Sequence, residues 1–435
     1  MNPSTPNWSW PPSLWAAVTP PAPDYPALAS DLEVDLLVVG AGFTGLNAAI
    51  HGAERGHRVA VIEAAAPGYG ASGRTNGQVI PTLSKPDPDD LIRRWGAPGE
   101  RFVALLRDSA AHLFNEVRRL GIDCEAEQAG WIQPAHSPGR IRISERRVEQ
   151  WRRHGADVRL LDRAQARELI GSDTWYGGWM APSGGHINPL ALTRGLAAAF
   201  VRAGGVLYGN TPARTMSHDG ERWTVVTPGG RVRAHALVLA THALTDHFSP
   251  DLHTELAREV VPTYSWMLAT QPLDEAARAR VLPSRMALSD THGDLHFARY
   301  DARHRLISGG AVISPSNAAE KLRPMVISRL KHMFPDIGPV DIQFAWSGFI
   351  GMTDDYHPRV HQLGPHGFTW LGCNGRGIAL SVSMGRELAR AALGDPVESL
   401  ALPLEPIRPV PLHGLARRFG PLKLLLYRWR DGREI

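Results

Sequence analysis

The chain has 435 residues, with 47 Lys and Arg against 43 Asp and Glu, a formal charge of +4. At roughly 150 residues per domain, this length holds two or three domain-sized units, enough to bury a core without a disulfide or metal staple. A chain 43% hydrophobic and 21% charged is not disordered, aperiodic glycine excludes collagen, and a small scattered charge gives no basis for nucleic-acid binding.

Residues 1–30 form an arm rich in Trp and Pro, in which the proline density argues against helix and sheet interior. Trp8, Trp10 and Trp15 imply that the arm docks on the body. Residues 34–39 read as a buried parallel strand, 44–56 as a helix and 58–62 as a second strand, which together make a βαβ unit. Helical patterns follow at 91–120, 145–154, 163–170 and 190–203, the last opened by Asn188-Pro189. Strand patterns occupy 206–209, 222–227, 231–234, 236–240, 264–270, 286–290, 294–299 and 304–310. A helix over 320–333, strands at 341–351 and 368–372, and a helix over 378–393 complete the pattern. No run approaches 18 uninterrupted apolar residues, so no transmembrane helix is expected. The N-terminus shows no basic-then-apolar leader, and two cysteines cannot form a disulfide framework, so a cytoplasmic location is expected.

The strongest signal is Gly40-Ala41-Gly42-Phe43-Thr44-Gly45, between a strand and a helix, with Glu63 closing the next strand. In that context GxGxxG is a dinucleotide fingerprint. Gly40 permits the turn, Gly42 lets backbone amides approach a pyrophosphate, and Gly45 allows helix to pack on strand. The helix N-terminus offers free donors to phosphate, and Glu63 can accept from a ribose while repelling a 2′-phosphate. A second small-residue loop, Gly68 to Gln78, sets Ser, Arg and Asn where the rest of a cofactor would lie.

These residues resemble those of the D-amino-acid-oxidase-type superfamily of FAD-dependent enzymes, most nearly its gamma-glutamylputrescine oxidoreductase branch. There the fingerprint is followed by a GASGRNGGQ-like stretch, and here by Gly70-Ala71-Ser72-Gly73-Arg74-Thr75-Asn76-Gly77-Gln78. Gly185 to Pro189, Ala236 to Ala243, Trp346 to Asp355 and Gly372 to Leu380 resemble later family segments in the same order. The resemblance implies an α/β fold: a discontinuous Rossmann-type FAD domain (31–90, 181–262 and 345–395) carrying an inserted α+β substrate domain (91–180 and 263–344) of mixed or antiparallel sheet. A basic tail follows over 396–435. It places FAD against Gly40, Gly42, Phe43, Thr44, Gly45, Glu63, Ala64, Gly70, Ala71, Ser72, Gly73, Arg74, Asn76, Gly77 and Gln78. It adds Ala213, Ala240, Thr241, Gly375, Arg376, Gly377 and Ile378. In the family the last helix start faces the flavin pyrimidine, where a helix N-terminus and an Arg stabilise the reduced anion. Asn76, Gln78 and Arg376 are the candidates for shaping the flavin environment.

The sequence departs from its relatives in two places. Sarcosine-type oxidases carry flavin on a cysteine, but Phe349 to Thr353 has none, so noncovalent FAD is expected. Their C-terminal-loop lysine corresponds here to Ala379, and no lysine lies between Lys85 and Lys321. This favours an amine or a larger amino compound over a simple N-methyl amino acid. The implied reaction is oxidation of a C–N bond with O₂ as acceptor. The alternatives are a dehydrogenase passing electrons to a quinone or carrier protein, and a noncatalytic FAD-binding protein. An NAD(P)H-dependent flavoprotein needs a second GxGxxG between a strand and a helix, and none is found in that setting; Gly68 to Gly73 has the spacing but not the flanking elements.

Trp266, Phe297 and Trp346, with Tyr264 and Tyr300, are candidates for a substrate pocket, weighed against core packing. His186, His242, His296 and His357 are read first as structural. His357 and His361 have a metal-like spacing, but Pro358 breaks the helix that would align them, so no metal is expected. The tail between Arg417 and Arg430 is basic, and packing of its apolar side on the body is preferred over contact with an anionic membrane.

Overall fold

The computed structural model describes residues 8–294, 296–311 and 317–434; the first seven residues of the arm and position 295 of the strand expected at 294–299 lie outside them. Two eight-stranded sheets organise the chain. The first runs Arg359–Gly364, Gly367–Leu371, Gly230–Leu239, Leu32–Val39, Val59–Ile62 and Val206–Tyr208. Its last five strands are parallel.

Strand Leu32–Val39 shows why this sheet is central. Leu36 and Val38 enter the core beneath helices Phe43–Glu54, Pro189–Arg202 and Ile378–Ala392, whereas Leu37 and Val39 enter the core on the opposite face. Alternation buried on both sides produces the continuous apolar run of a parallel strand. Gly230–Leu239 is one strand rather than the two expected, because it pairs throughout with Leu32–Val39 on one side and its N-terminal half with Trp223–Thr227 on the other.

The second sheet runs Ile342–Met352, Val261–Pro272, Arg305–Ala311, Phe297–Tyr300, Ala287–Ser289, Trp131–Pro134, Gly178–Ala181 and Arg159–Leu161. It is antiparallel except where Ala287–Ser289 meets Trp131–Pro134. The domain limits expected at 262 and 345 fall inside two strands paired along their length, so both belong to this sheet. The helix expected over 91–120 is two, Pro88–Trp95 and Ala97–Leu120, broken at Gly96 with φ 61°. The arm does contain a helical turn, Leu14–Val18, capped by Ser13 between prolines that flank it rather than interrupt it.

Arg299 joins the two halves. It is 1% exposed on Phe297–Tyr300, and burial lowers its pKa to about 10, so it remains charged at neutral pH. Its guanidinium donates to the carbonyls of Asn76 at 2.7 Å, Tyr300 at 2.8 Å and Ile187 at 2.8 Å. Its flat face lies 4.7 Å from the ring of Trp15. Trp15 in turn donates to the Thr75 carbonyl at 2.9 Å and meets Trp346 edge-on at 5.9 Å. One planar cation thereby ties the second glycine loop, the entry to helix Pro189–Arg202, the second sheet and the arm together. Replacing it strands buried carbonyls at about 1–3 kcal/mol each. Arg299→Met is expected to cost at least about 3 kcal/mol, read as a fall of several degrees in Tm. Arg299→Lys recovers little of this, because an ammonium cannot reproduce the guanidinium fork; an unchanged Tm in both variants would contradict this role.

Candidate functional site

The parallel strands of the first sheet end at Val39, Ile62, Leu239 and Leu371, and the chain turns there into a cavity of about 930 Å³ between the two sheets. Ligands of open α/β sheets bind outside these carboxyl ends. Gly40 turns with φ 106°, a conformation that favours glycine, and a Cβ on Gly45 would collide with the Gly40 carbonyl. The turn therefore delivers helix Phe43–Glu54 with its N-terminus against the cavity. The Ser72 hydroxyl accepts from the Phe43 amide at 3.1 Å and locks the second glycine loop onto this helix start. Glu63 is enclosed, and its two oxygens accept from the Ala41 amide at 2.7 Å and the Ala65 amide at 3.0 Å. Burial raises its pKa against the pull of those amides.

On the other side of the cavity, Gly375, Arg376 and Gly377 lead into helix Ile378–Ala392, whose first-turn amides have no partner inside the helix. Arg376 is buried with its pKa lowered to about 9 by desolvation; it donates to Thr82 and the Leu83 carbonyl, and its guanidinium lies 4.8 Å from the Trp131 ring. Two helix N-termini, a buried carboxylate and glycine turns that leave backbone amides exposed fit an elongated dinucleotide with a polar ring system at one end.

Most residues expected at the cofactor line this cavity: Gly40, Gly42, Phe43, Thr44, Glu63, Ala64, Gly70, Ala71, Ser72, Arg74 and Asn76 near its first end, and Ala213, Ala240, Thr241, Gly375, Arg376, Gly377 and Ile378. Gly45, Gly73, Gly77 and Gln78 lie behind the lining. A Cβ on Gly73 would meet the Gly68 carbonyl and one on Gly77 would meet Arg299, so these glycines allow close packing rather than ligand approach. Gln78 faces away: its amide donates to the Leu288 carbonyl at 2.9 Å, and its carbonyl accepts from Ser289. It couples the glycine loop to the second sheet.

Of the aromatic candidates, Phe297 and Tyr264 line the cavity and Trp266, Trp346 and Tyr300 do not. Strand alternation explains Trp266, which shares a face with Leu268 and packs on the second core while Met267 faces the cavity. Trp346 is buried against Trp15 and donates to the Arg74 carbonyl at 2.8 Å. His357 bonds its own turn at Asp355, whereas His361 sits between the Glu405 carbonyl at 2.7 Å and Glu259 at 3.1 Å, so the pair diverges. Sequence reasoning missed Asp290, which accepts from His292 at 2.6 Å and from the backbone amides of His292 and His296 to close its turn on the cavity wall.

It also missed Lys85, treated in the sequence only as the edge of a lysine-free span. Lys85 lines the far end of the cavity with Gln133, Arg140, Arg147, Tyr356 and Tyr427. Arg147 is paired with Asp87 at 2.8 Å and Arg140 with Glu434 at 2.5 Å. No carboxylate among the described residues pairs with Lys85, whose ammonium lies 5.8 Å and 5.5 Å from the Tyr356 and Tyr427 rings. Burial lowers its pKa.

His136, His186, His242 and His296 are held neutral near pH 7. Desolvation lowers His136 and His242 to about 4, and His186 and His296 to about 3. His242 uses its lone pair to accept from the Cys373 amide at 3.3 Å. The unfolded chain takes up protons on these groups near pH 6.5 while the native chain does not, so their stabilising contribution is present above that pH. It is lost as pH falls through about 4 and then about 3. Thermal melting across this acid range is expected to show Tm falling steadily below pH 6.5; a flat profile would show that these sites are not held neutral by the fold.

The comparisons with known proteins agree with this geometry. The family model "FAD dependent oxidoreductase" matches residues 35–391. The gamma-glutamylputrescine oxidoreductase of Escherichia coli (strain K12) is 30% identical over 386 residues, covering 88% of this chain and 89% of the relative. A probable oxidoreductase OrdL of Haemophilus influenzae is 30% identical over 374 residues, 85% of each chain. The crystal structure of glycine oxidase from Geobacillus kaustophilus superposes with a TM-score of 0.69 at 22% identity, over 87% of this chain and 99% of that one. The turn at Gly40, the carboxylate at Glu63 and the match over residues 35–391 lead to one conclusion: this chain belongs to the FAD-dependent oxidoreductase family, and FAD is its cofactor.

Proposed function

We propose that this enzyme oxidises the C–N bond of an amine or amino compound that also carries a carboxylate, with O₂ as the acceptor and FAD held noncovalently. The observation that carries the substrate class is Lys85, a cation with no carboxylate partner among the described residues, lining the cavity at the end opposite the dinucleotide turn. A cation left unpaired on a cavity wall can form a charge-assisted hydrogen bond with a ligand of opposite sign. Two relatives support the same chemistry: one is a gamma-glutamylputrescine oxidoreductase and another, 26% identical, is a glycine oxidase. Both printed names denote nitrogen compounds that bear a free carboxylate.

FAD, when bound, supplies a two-electron acceptor for hydride from the C–H beside the substrate nitrogen. The residues of this chain position and desolvate. Lys85 anchors the carboxylate, and Phe297 and Tyr264 wall the space beside it. The amine loses hydride from carbon and a proton from nitrogen, and water then splits the resulting imine into a carbonyl compound and an amine. Cys373, although it lines the cavity, has its thiol pushed up by burial and is a poor nucleophile, in keeping with noncovalent flavin.

The test is anaerobic titration of the yellow protein with gamma-glutamylated amines, amino acids, N-methyl amino acids and carboxylate-free polyamines. Bleaching of the flavin band by carboxylated amines is expected, followed by hydrogen peroxide on admission of air. Bleaching without peroxide assigns a carrier as acceptor, and no bleaching by any amine would sink the reading. Lys85→Met is expected to weaken apparent affinity for carboxylated amines by roughly 10- to 100-fold, as befits a bond to a charged group, with little change in the limiting rate of reduction. Equal affinity in both proteins removes Lys85 from recognition. Glu63→Gln, which turns an amide donor toward the Ala41 or Ala65 N–H, is expected to loosen FAD by roughly tenfold or more, measured by fluorescence on flavin release.

A further inference from the structure

The C-terminal segment lies beyond the matched family region and roofs the cavity with two short helices, His413–Phe419 and Lys423–Asp431. Its inner side is fastened to the body. His413 meets the Val260 carbonyl at 2.9 Å, the Tyr427 hydroxyl meets that of Tyr356 at 3.0 Å, and Arg428 pairs with Asp294 at 2.6 Å. Asp431 accepts from the Gly293 amide at 2.7 Å, and Glu434 is held by Arg140. Asp431 and Glu434, the two acids from His413 to Glu434, thus point inward.

The outer side is different. Leu412, Leu415, Phe419, Leu422, Leu426 and Trp429 succeed one another by alternating steps of three and four residues. With Leu425 they are 46–75% exposed, the only concentration of exposed large apolar side chains among the described residues. Arg417, Arg418, Lys423, Arg430 and Arg433 are exposed around them. A stripe at helical spacing, one side fastened and the other apolar and ringed by cations, is the signature of a helix lying in a membrane interface. Two copies of this face brought together would oppose like charges, whereas an anionic lipid surface complements it. No helix among the described residues is long and apolar enough to cross a membrane.

We propose that the C-terminal helical pair is a peripheral anchor for anionic lipid bilayers, with Leu415, Leu426 and Trp429 entering the interface and Arg418 and Arg433 contacting lipid headgroups. The roof of the cavity is then the membrane-facing surface of the enzyme. The inference stands apart from the proposed reaction, because Leu415, Arg418, Leu426, Trp429 and Arg433 do not line the cavity and it is read by binding alone.

The test uses full-length, FAD-loaded protein and sedimentation with phosphatidylcholine vesicles, with and without phosphatidylglycerol. Binding is expected only where the anionic lipid is present, and it weakens in high salt. The triple variant Leu415→Glu, Leu426→Glu, Trp429→Glu is expected to stay in the supernatant. Arg418→Glu with Arg433→Glu, which leaves the apolar stripe intact, lowers partitioning at least roughly tenfold. Unchanged flavin spectra and Tm establish that the variants are folded, and Leu426→Glu alone serves if the triple variant is not. Absence of binding to anionic vesicles, or binding indifferent to lipid charge and to the substitutions, overturns the proposal. So does a dimer by light scattering that the apolar variants dissolve, since the face would then belong to a second copy.

Discussion

A single buried guanidinium holds the architecture in register. Arg299 satisfies carbonyls from the second glycine loop, the entry to helix Pro189–Arg202 and its own strand, and its free face lies against Trp15. Few side chains could do this. Arg remains charged when its pKa falls to about 10, and its donors diverge in one plane, so three acceptors from different segments can share it. The glycine loop that faces the dinucleotide is therefore positioned by the second sheet rather than by its own turn. Gln78 repeats the link one step further along the loop, through Leu288 and Ser289. The glycine loop and the second sheet are thereby joined at two points.

The cavity combines opposite electrostatic solutions in one space. At the dinucleotide end, backbone amides and helix termini supply partial positive charge without mobile side chains, a form of preorganisation that needs no reorientation on binding. At the far end full charges are present but largely cancelled: Asp87 answers Arg147 and Glu434 answers Arg140. Lys85 is left over, cushioned by two tyrosine rings. A neutral histidine, His242, stands in the wall between, because burial suppresses its protonated form.

The roof adds an asymmetry of its own. The same short helices place Ala416, Leu424 and Tyr427 over the cavity and an apolar, cation-ringed stripe toward the outside. A segment outside the matched family region thus shapes one wall of the cavity and the character of the surface beyond it.

The sequence by itself determined what depends on near neighbours. The strand, the Gly40 turn, the helix start and Glu63 lie within one βαβ unit, and their chemistry requires glycine at Gly40 and Gly45 whatever the rest of the chain does. The buried alternation of Leu36 to Val39 and the helix start at Gly377 were legible for the same reason. Tertiary structure alone decided which side chains face the site. Gln78 and Trp346, both plausible by position, turn to serve packing, and Trp266 is on the wrong side of a strand whose two-residue period is set by long-range pairing, Trp266 itself lying opposite Gly310 and Ser347. Lys85 carried no local signal at all. It comes to line the cavity because Gln133 and Arg140, Tyr356 and Tyr427, drawn from three separate parts of the chain, meet beside it while the carboxylates Asp87 and Glu434 are claimed by arginines.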